Sequence, residues 1–426
     1  MKIKIKNLGK IEEAKLELEN IAVIVGNNNS GKSTIGKGIY TSLATISEDF
    51  YDVYNEERKM MINIELRNLL EIVMYEEHMS KKDKYAQNIL TSQLFRKEEN
   101  LITVLKNELS TIRYSEFRLS FDDFGVKIYE ILMLIENVLL IQKLTARSEK
   151  QIKESSAKIR TALNLKYEDL EFKKRLFKIL VSGEFNNPIK KDKNSFSIEI
   201  DDFKATYSTN QNVELENINL LRRSIYLDTP FIVNYINNYK VDYSHESQLY
   251  RMITENLDTG ILEKEKYFKH NEIEKKIEEI IKGKLIFDKE KNKFEFHEKD
   301  LGTLGVKDLA TGVKSLGILL MLLKKIDYNT VLILDEPEVH LHPEWQFKLA
   351  EILTIISKEI GAKILITTHS TFFVEAIELF SKKYEIQKNF YYCQDGKIFD
   401  ANDSTVYKKV NGEIFDELDK LRGEII

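Results

Sequence analysis

A chain of 426 residues with 42% hydrophobic and 31% charged side chains can bury a sizeable core, with room for roughly two or three domains or one domain carrying a large insertion. Its 64 Lys/Arg against 69 Asp/Glu give a formal net charge of −5, which excludes a uniformly basic coat for nucleic acid but leaves room for a local basic patch. A single cysteine, Cys393, excludes an intramolecular disulfide and a cysteine-built zinc site.

The N-terminal MKIKIKNLGK has no apolar run of the secretory kind, and the expected compartment is the cytoplasm. The most apolar stretch, Val126 to Ile141, is short and is interrupted by Lys127, Glu130 and Glu136, so no membrane span is expected. Proline is absent before Pro188, which leaves the first half of the chain free to form long helices.

Taken in order, Met1 to Lys6 alternates with period two and reads as a strand, and Ala14 to Glu19 alternates again. The continuous apolar run Ile21 to Val25 reads as a strand buried on both faces, and a helix is expected from about Gly31 to Ala44. Residues 48–194 read as mainly helical, with apolar spacing of three and four over Arg58–Glu76, Gln87–Thr111 and Phe124–Leu163. Residues 195–426 return to mixed structure. Strands are expected over Phe196–Tyr207 and Ser224–Asp228, with a hairpin over Leu285–His297. Helices at about 311–325, 344–360 and 371–382 then alternate with strands at 330–334 and 363–367. The organisation is α/β, with a head built from 1–47 and 195–426 and a helical insertion over 48–194. The terminal Glu413–Arg422 reads as a short amphipathic helix.

Chemistry concentrates in four segments. Gly26-Asn27-Asn28-Asn29-Ser30-Gly31-Lys32-Ser33 is a complete GxxxxGK[ST] between a buried strand and a helix, the context in which backbone N–H groups and a helix N-terminus cradle phosphate. In that motif Lys32 binds the β- and γ-phosphates, Ser33 a Mg²⁺ ion and Thr34 the α-phosphate. The apolar strand ending in Asp335-Glu336 offers one carboxylate for the Mg²⁺ shell, Asp335, and a second to polarise an attacking water, Glu336. A third strand ends in Thr367-Thr368-His369-Ser370, where His369 is placed to contact the γ-phosphate or that water. Thr311 and Gly312 open a helix, either as an anion site or with Thr311 as a plain N-cap.

These motifs in this order resemble the ABC-type ATPase heads of the SMC/RecF/OLD group. The resemblance implies a P-loop ATPase head with a helical insertion, with ATP and Mg²⁺ as ligands. It also implies a head-to-tail dimer in which Thr311 and Gly312 reach the γ-phosphate bound by the partner subunit, and Val339 to Pro343 as a dimer-contacting loop. The usual signature is altered here, with Val313 in place of its second glycine and Lys314 where Gln or Glu is common. Gln87, Gln93 and Gln142 are all open as the glutamine of the Q-loop.

Too few residues follow His369 for a Toprim nuclease domain. NLGKIEEAKLELENIAVIVGNNNSGKST, Ser224 to Pro230 and the LATGVKSLGILL…DEPEVHLHPEWQ block resemble stand-alone ATPases of bacterial anti-phage defence, the Septu ATPase subunit (PtuA) family above all. That resemblance implies an ATPase governing an HNH-type nuclease partner. A different reading is a repair ATPase that grips DNA itself. From Lys143 to Lys193 there are 14 Lys/Arg against 7 Asp/Glu, and Lys143, Arg147, Lys150 and Lys153 share a helical face. The competing reading of that face is a solvated helix surface. His78, His245, His270 and His297 show no metal-ligand spacing.

Overall fold

In the computed structural model the described residues are 1–47, 50–87, 105–106, 108–109, 121–141, 144–166, 169–218, 222–234, 243–254, 264–300, 302–401 and 420. They form two compact units, one of Met1–Phe50 with Leu170–Ile426 and one of Tyr51–Asp169.

The first unit is built on a mixed sheet. Strands β1 (Lys2–Lys6), β2 (Glu13–Glu17) and β3 (Ile21–Val25) come first. In β1 and β2 apolar residues point alternately into the core, whereas all five residues of β3 are buried. Helix α1 (Lys32–Ile46) follows at once. After the helices of the second unit, α2 (Tyr51–Gln87), α3 (Phe121–Ile141) and α4 (Ala146–Asn164), the chain returns as α5 (Leu170–Glu184).

Strands β4 (Ser195–Ile200), β5 (Phe203–Ser208), β6 (Val213–Glu216) and β7 (Arg223–Leu227) precede α6 (His245–Thr254) and α7 (Lys264–Ile281). A small antiparallel sheet of β8 (Gly283–Asp288), β9 (Lys293–Glu298) and β10 (Gly302–Gly305) leads to α8 (Thr311–Leu323). The last elements are β11 (Thr330–Asp335), α9 (Pro343–Ile355), β12 (Lys363–Thr368), α10 (Thr371–Lys383), β13 (Lys388–Gln394) and β14 (Lys397–Asp400).

The large sheet runs β6-β5-β4-β1-β2-β14-β13-β3-β12-β11-β7. From β13 to β7 its strands are mutually parallel, and from β6 to β2 they are antiparallel. The two halves bury side chains as their pairing demands. The parallel strands β3, β11 and β12 are covered on both faces and read as unbroken apolar runs, while β4 and β5 alternate.

This topology aligns the carboxyl ends of β3, β12 and β11. Val25 pairs with Thr368, and Asp335 pairs with Thr367. In an open α/β sheet ligands bind outside this edge.

Three boundaries differ from the sequence reading. Phe196–Tyr207 is a hairpin rather than one strand: β4 turns at Asp201, whose φ is 49°, and pairs with β5. Phe124–Leu163 is two helices, separated where the Thr145 hydroxyl caps α4 by accepting from Ser148 N–H at 3.2 Å. The insertion is shorter than 48–194, because α5 and the segment after it pack with the head. There Lys173 Nζ donates to Ser47 O at 3.2 Å, and the Phe177 and Phe196 rings lie 6.3 Å apart.

The second unit has its own core, in which Ile62, Leu66, Leu69 and Val73 of α2 meet Phe124, Ile128, Ile131 and Ile135 of α3 and Ile152 and Ile159 of α4. Arg58 Nε donates to Ala162 O at 3.0 Å, placing a cation on the last carbonyls of α4. The expected helices Gln87–Thr111 and Glu413–Arg422 lie almost wholly outside the described residues. No helix among the described residues is long and apolar enough to cross a membrane.

Candidate active site

The loop from Gly26 to Gly31 joins β3 to α1, and two of its glycines are dictated by geometry. A Cβ on Gly26 would lie 2.3 Å from the carbonyl oxygen of Cys393, so only glycine lets β13 pass this close. Gly31 has φ 108°, in the left-handed region, and leads into the first turn of α1. The Lys32 side chain is almost fully buried and folds back over the loop, donating to the carbonyls of Gly26 at 3.0 Å and Asn27 at 3.1 Å. Burial pushes its ammonium below the usual lysine range, against the opposing pull of Glu336.

The three strand ends converge on this lysine. Lys32 Nζ lies 2.9 Å from His369 Nε2 and 3.8 Å from Glu336 Oε1, and that same Nε2 lies 2.6 Å from Glu336 Oε1. One ring nitrogen cannot both accept from the lysine and donate to the carboxylate, so these three groups compete. Glu336 has φ 52°, an uncommon value for a side-chain-bearing residue. Its N–H donates to Thr367 O at 3.0 Å and Oγ1 at 3.2 Å, which fixes the turn and aims its carboxylate at the lysine.

Asp335 receives the Ser33 hydroxyl at 3.1 Å on Oδ1 and the Tyr226 hydroxyl at 2.8 Å on Oδ2, with the Thr367 hydroxyl also on Oδ1. An alcohol oxygen and a carboxylate oxygen meeting at one point form the hard-oxygen set that Mg²⁺ takes.

A groove of about 740 Å³ opens over these residues. Asn28, Asn29, Gly31, Lys32, Ser33, Thr34, Glu336 and His369 line it, and Glu184 to Asn187, Ile189 and Lys191 complete its wall together with Gly9 and Lys10. Gly26, Asn27 and Ser30 belong to the loop but do not line the groove. A second cavity of about 230 Å³ adjoins Ser33, Asp335 and Glu336 and is walled by Asp228, Phe231, Ser315, Leu316 and Leu319.

Thr311 and Gly312 do not line the groove. The residue ahead of α8 is Ala310, so Thr311 is the first helical residue rather than its cap. Gly312 packs on its own chain, where a Cβ would come within 2.9 Å of Leu341 and 3.3 Å of Trp345. His342 caps α9 by accepting from Glu344 N–H at 3.3 Å, and the His340 ring meets Phe231 edge-on at 6.2 Å.

Lys143, Gln93 and Gln142 lie outside the described residues, and of Gln87 only the backbone is described. Arg147 and Lys150 are exposed on α4, where Lys150 lies 3.9 Å from Glu154 and Lys153 2.5 Å from Glu149.

Sequence reasoning missed the groove wall at 184–191 and two buried carboxylates. Glu338 is 4% exposed; its Oε1 accepts His369 N–H at 3.1 Å and the Thr368 hydroxyl, and burial raises its carboxyl above the usual range. Glu184 begins the wall, with its buried carboxylate against His245. Glu338 sits only two residues past Glu336 and was within reach of motif reading. Glu184 carries no local signal.

A buried strand, a phosphate-type loop and two strand-end carboxylates on one sheet edge define a P-loop nucleotide-binding ATPase domain. The chain belongs to the AAA ATPase domain family, whose model matches residues 1–374. No curated protein matches it.

Among solved structures it is similar to the SMC head domain from Thermotoga maritima, at 10% identity over 94% of this chain and 97% of that one, with TM-score 0.36. It is also similar to the Smc head domain with a coiled coil and joint from Pyrococcus yayanosii, at 12% identity over 97% and 99%, TM-score 0.38. The recombination mediator RecF of the RecFOR pathway matches at 10% identity over 94% and 97%, TM-score 0.35. These likenesses are long but loose, and membership of the family rests on the match over residues 1–374.

Proposed function

We propose that the protein is a Mg²⁺-dependent ABC-type ATPase that binds and hydrolyses ATP at a head-to-tail dimer interface and thereby controls a partner effector in the cytoplasm. The partner we favour is an HNH-type nuclease, acting in bacterial anti-phage defence as in the Septu (PtuA) family. The observation that carries the ATPase reading is the meeting of Lys32, Ser33, Asp335, Glu336 and His369 at the carboxyl ends of three adjacent parallel strands.

In this reading the loop N–H groups and Lys32 hold the β- and γ-phosphates. Ser33 and Asp335 hold Mg²⁺, which when bound neutralises charge on the transferring phosphoryl oxygens. A γ-phosphate draws Lys32 and His369 to itself and frees Glu336 from both. Glu336 then takes the proton of the attacking water, and His369 donates to the γ-phosphate oxygen. Thr311 and Gly312, outside the groove of their own chain, serve the partner subunit's nucleotide.

The test is Glu336→Gln, which should retain ATP and Mg²⁺, hydrolyse it far more slowly and accumulate as a dimer in light scattering. Hydrolysis at the wild-type rate would remove Glu336 as the base. A pulldown of that variant with ATP, read by mass spectrometry, tests the effector: a stoichiometric nuclease supports it. Recovery of DNA alone would favour the repair-type reading.

A further inference from the structure

A second histidine cluster lies beneath the groove wall. His245 is 8% exposed, and its ring stands between two carboxylates, with Nδ1 2.5 Å from Glu184 Oε1 and Nε2 3.3 Å from Asp228 Oδ2. Lys37 of α1 reaches Glu184 Oε2 at 3.2 Å. The Tyr226 ring packs edge-on to the imidazole at 5.1 Å and that of Tyr40 at 6.0 Å. The carboxylates approach opposite nitrogens of the ring, so they cannot converge on a metal ion.

The cluster is placed against local preference. Glu184 ends α5 and His245 begins α6, so a negative charge sits at a helix C-terminus and a positive one at a helix N-terminus. Each is opposed by the helix dipole. Helix stability therefore does not explain the arrangement, and the connections it makes do. Glu184 is the first residue of the groove wall. The far end of that wall is fixed separately, by Gly9 N–H donating to Pro188 O at 2.7 Å and Lys190 N–H to Asn7 O at 2.8 Å. Asp228 follows β7, whose Tyr226 hydroxyl holds Asp335.

We propose that His245 is a positioning residue for nucleotide: by bridging Glu184 and Asp228 it pins the near end of the groove wall, which Lys37 separately ties to α1, to the end of β7, whose Tyr226 holds Asp335. This rests on the groove being the ATP site. Charges facing the ring come from Glu184 on α5, Asp228 after β7 and, through Glu184, Lys37 on α1. Burial alone would push the imidazole down, but the two carboxylates outweigh it and raise it to about 9. The bridge is thus intact at neutral pH and opens above about pH 9.

His245→Gln removes the cation and one of the opposed donors. With mant-ATP and Mg²⁺ as probe its dissociation constant should rise about tenfold, the scale of one lost charge-assisted hydrogen bond. KM should rise in parallel, while kcat at saturation stays within about twofold, because the wall is set before chemistry. Glu184→Gln keeps an acceptor for the ring and should show the same change at smaller amplitude, giving the same test where His245→Gln does not fold. Wild-type affinity should fall through about pH 9, a step absent from the His245→Gln profile. Variants that are folded by circular dichroism yet bind within about twofold of wild type, or superimposable pH profiles, would overturn the proposal. Lys32→Ala separates the two layers: wild-type binding by that variant would refute the ATP site itself rather than the bridge.

Discussion

Two histidine–carboxylate clusters sit along one edge of the same sheet and are built on opposite plans. At His369 a single nitrogen serves both Lys32 and Glu336, with the ring 29% exposed to the groove. At His245 each nitrogen has its own carboxylate and the ring is buried. The first arrangement leaves partners competing, so an incoming phosphate can redistribute them. The second gives each nitrogen a carboxylate of its own, so its partners do not compete. A site that must change partners and a scaffold that must not are thus made from the same residue types, and the difference lies in how many partners share one atom.

The most severe way to break the first cluster is Lys32→Ala, which should abolish nucleotide binding in mant-ATP titrations. Glu336→Gln should lower turnover by about 10²- to 10⁴-fold with binding retained, the range for a lost general base; a phosphate-release assay measures it.

The second cluster should instead register in stability. With the folded imidazole raised to about 9 from 6.5, its contribution is fully present below about pH 6.5 and is lost as pH rises through about 9. The ceiling on that contribution is about 3 kcal/mol. At the acidic end Glu184 and Asp228, both held below the usual carboxylate range because His245 and Lys37 outweigh the cost of burial, lose their contribution as they protonate. Melting curves of wild type against His245→Gln should therefore converge at alkaline pH.

The smallest effect belongs to the residue between the clusters. Tyr226→Phe removes one hydrogen bond to Asp335 and should weaken the Mg²⁺ dependence of turnover only severalfold, on the scale of about 1 kcal/mol.

Much of the first cluster was legible in the sequence, because Lys32 belongs to a complete phosphate-loop motif after one apolar run and Glu336 and His369 follow the ends of two others. The strands β3, β11 and β12 are buried on both faces and announce themselves as Ile21–Val25, Val331–Leu334 and Ile364–Ile366. The second cluster was not legible. His245 and Glu184 are 61 positions apart and meet only through tertiary packing. The hairpin at Asp201 leaves no mark in the sequence, because burial alternates from Phe196 to Ile200 and resumes at Phe203, and no glycine lies at the turn. The basic, helical composition of 143–193 crosses the boundary between the units without a change, so nothing in it separates α5 from the insertion, although Leu176, Phe177, Leu180 and Val181 of α5 are buried in the head.

Strand β3 carries one more consequence, for the order in which the molecule can assemble. Its hydrogen-bonding neighbours are β12 and β13, which begin at Lys363 and Lys388. On the ribosome β1 and β2 can pair as soon as they emerge, but β3 must wait for most of the chain to be made. Until then five consecutive apolar residues and two open strand edges are exposed. Long-range parallel pairing of this kind is slow and aggregation-prone. The nucleotide loop that β3 carries is therefore among the earliest parts synthesised and among the last to take shape.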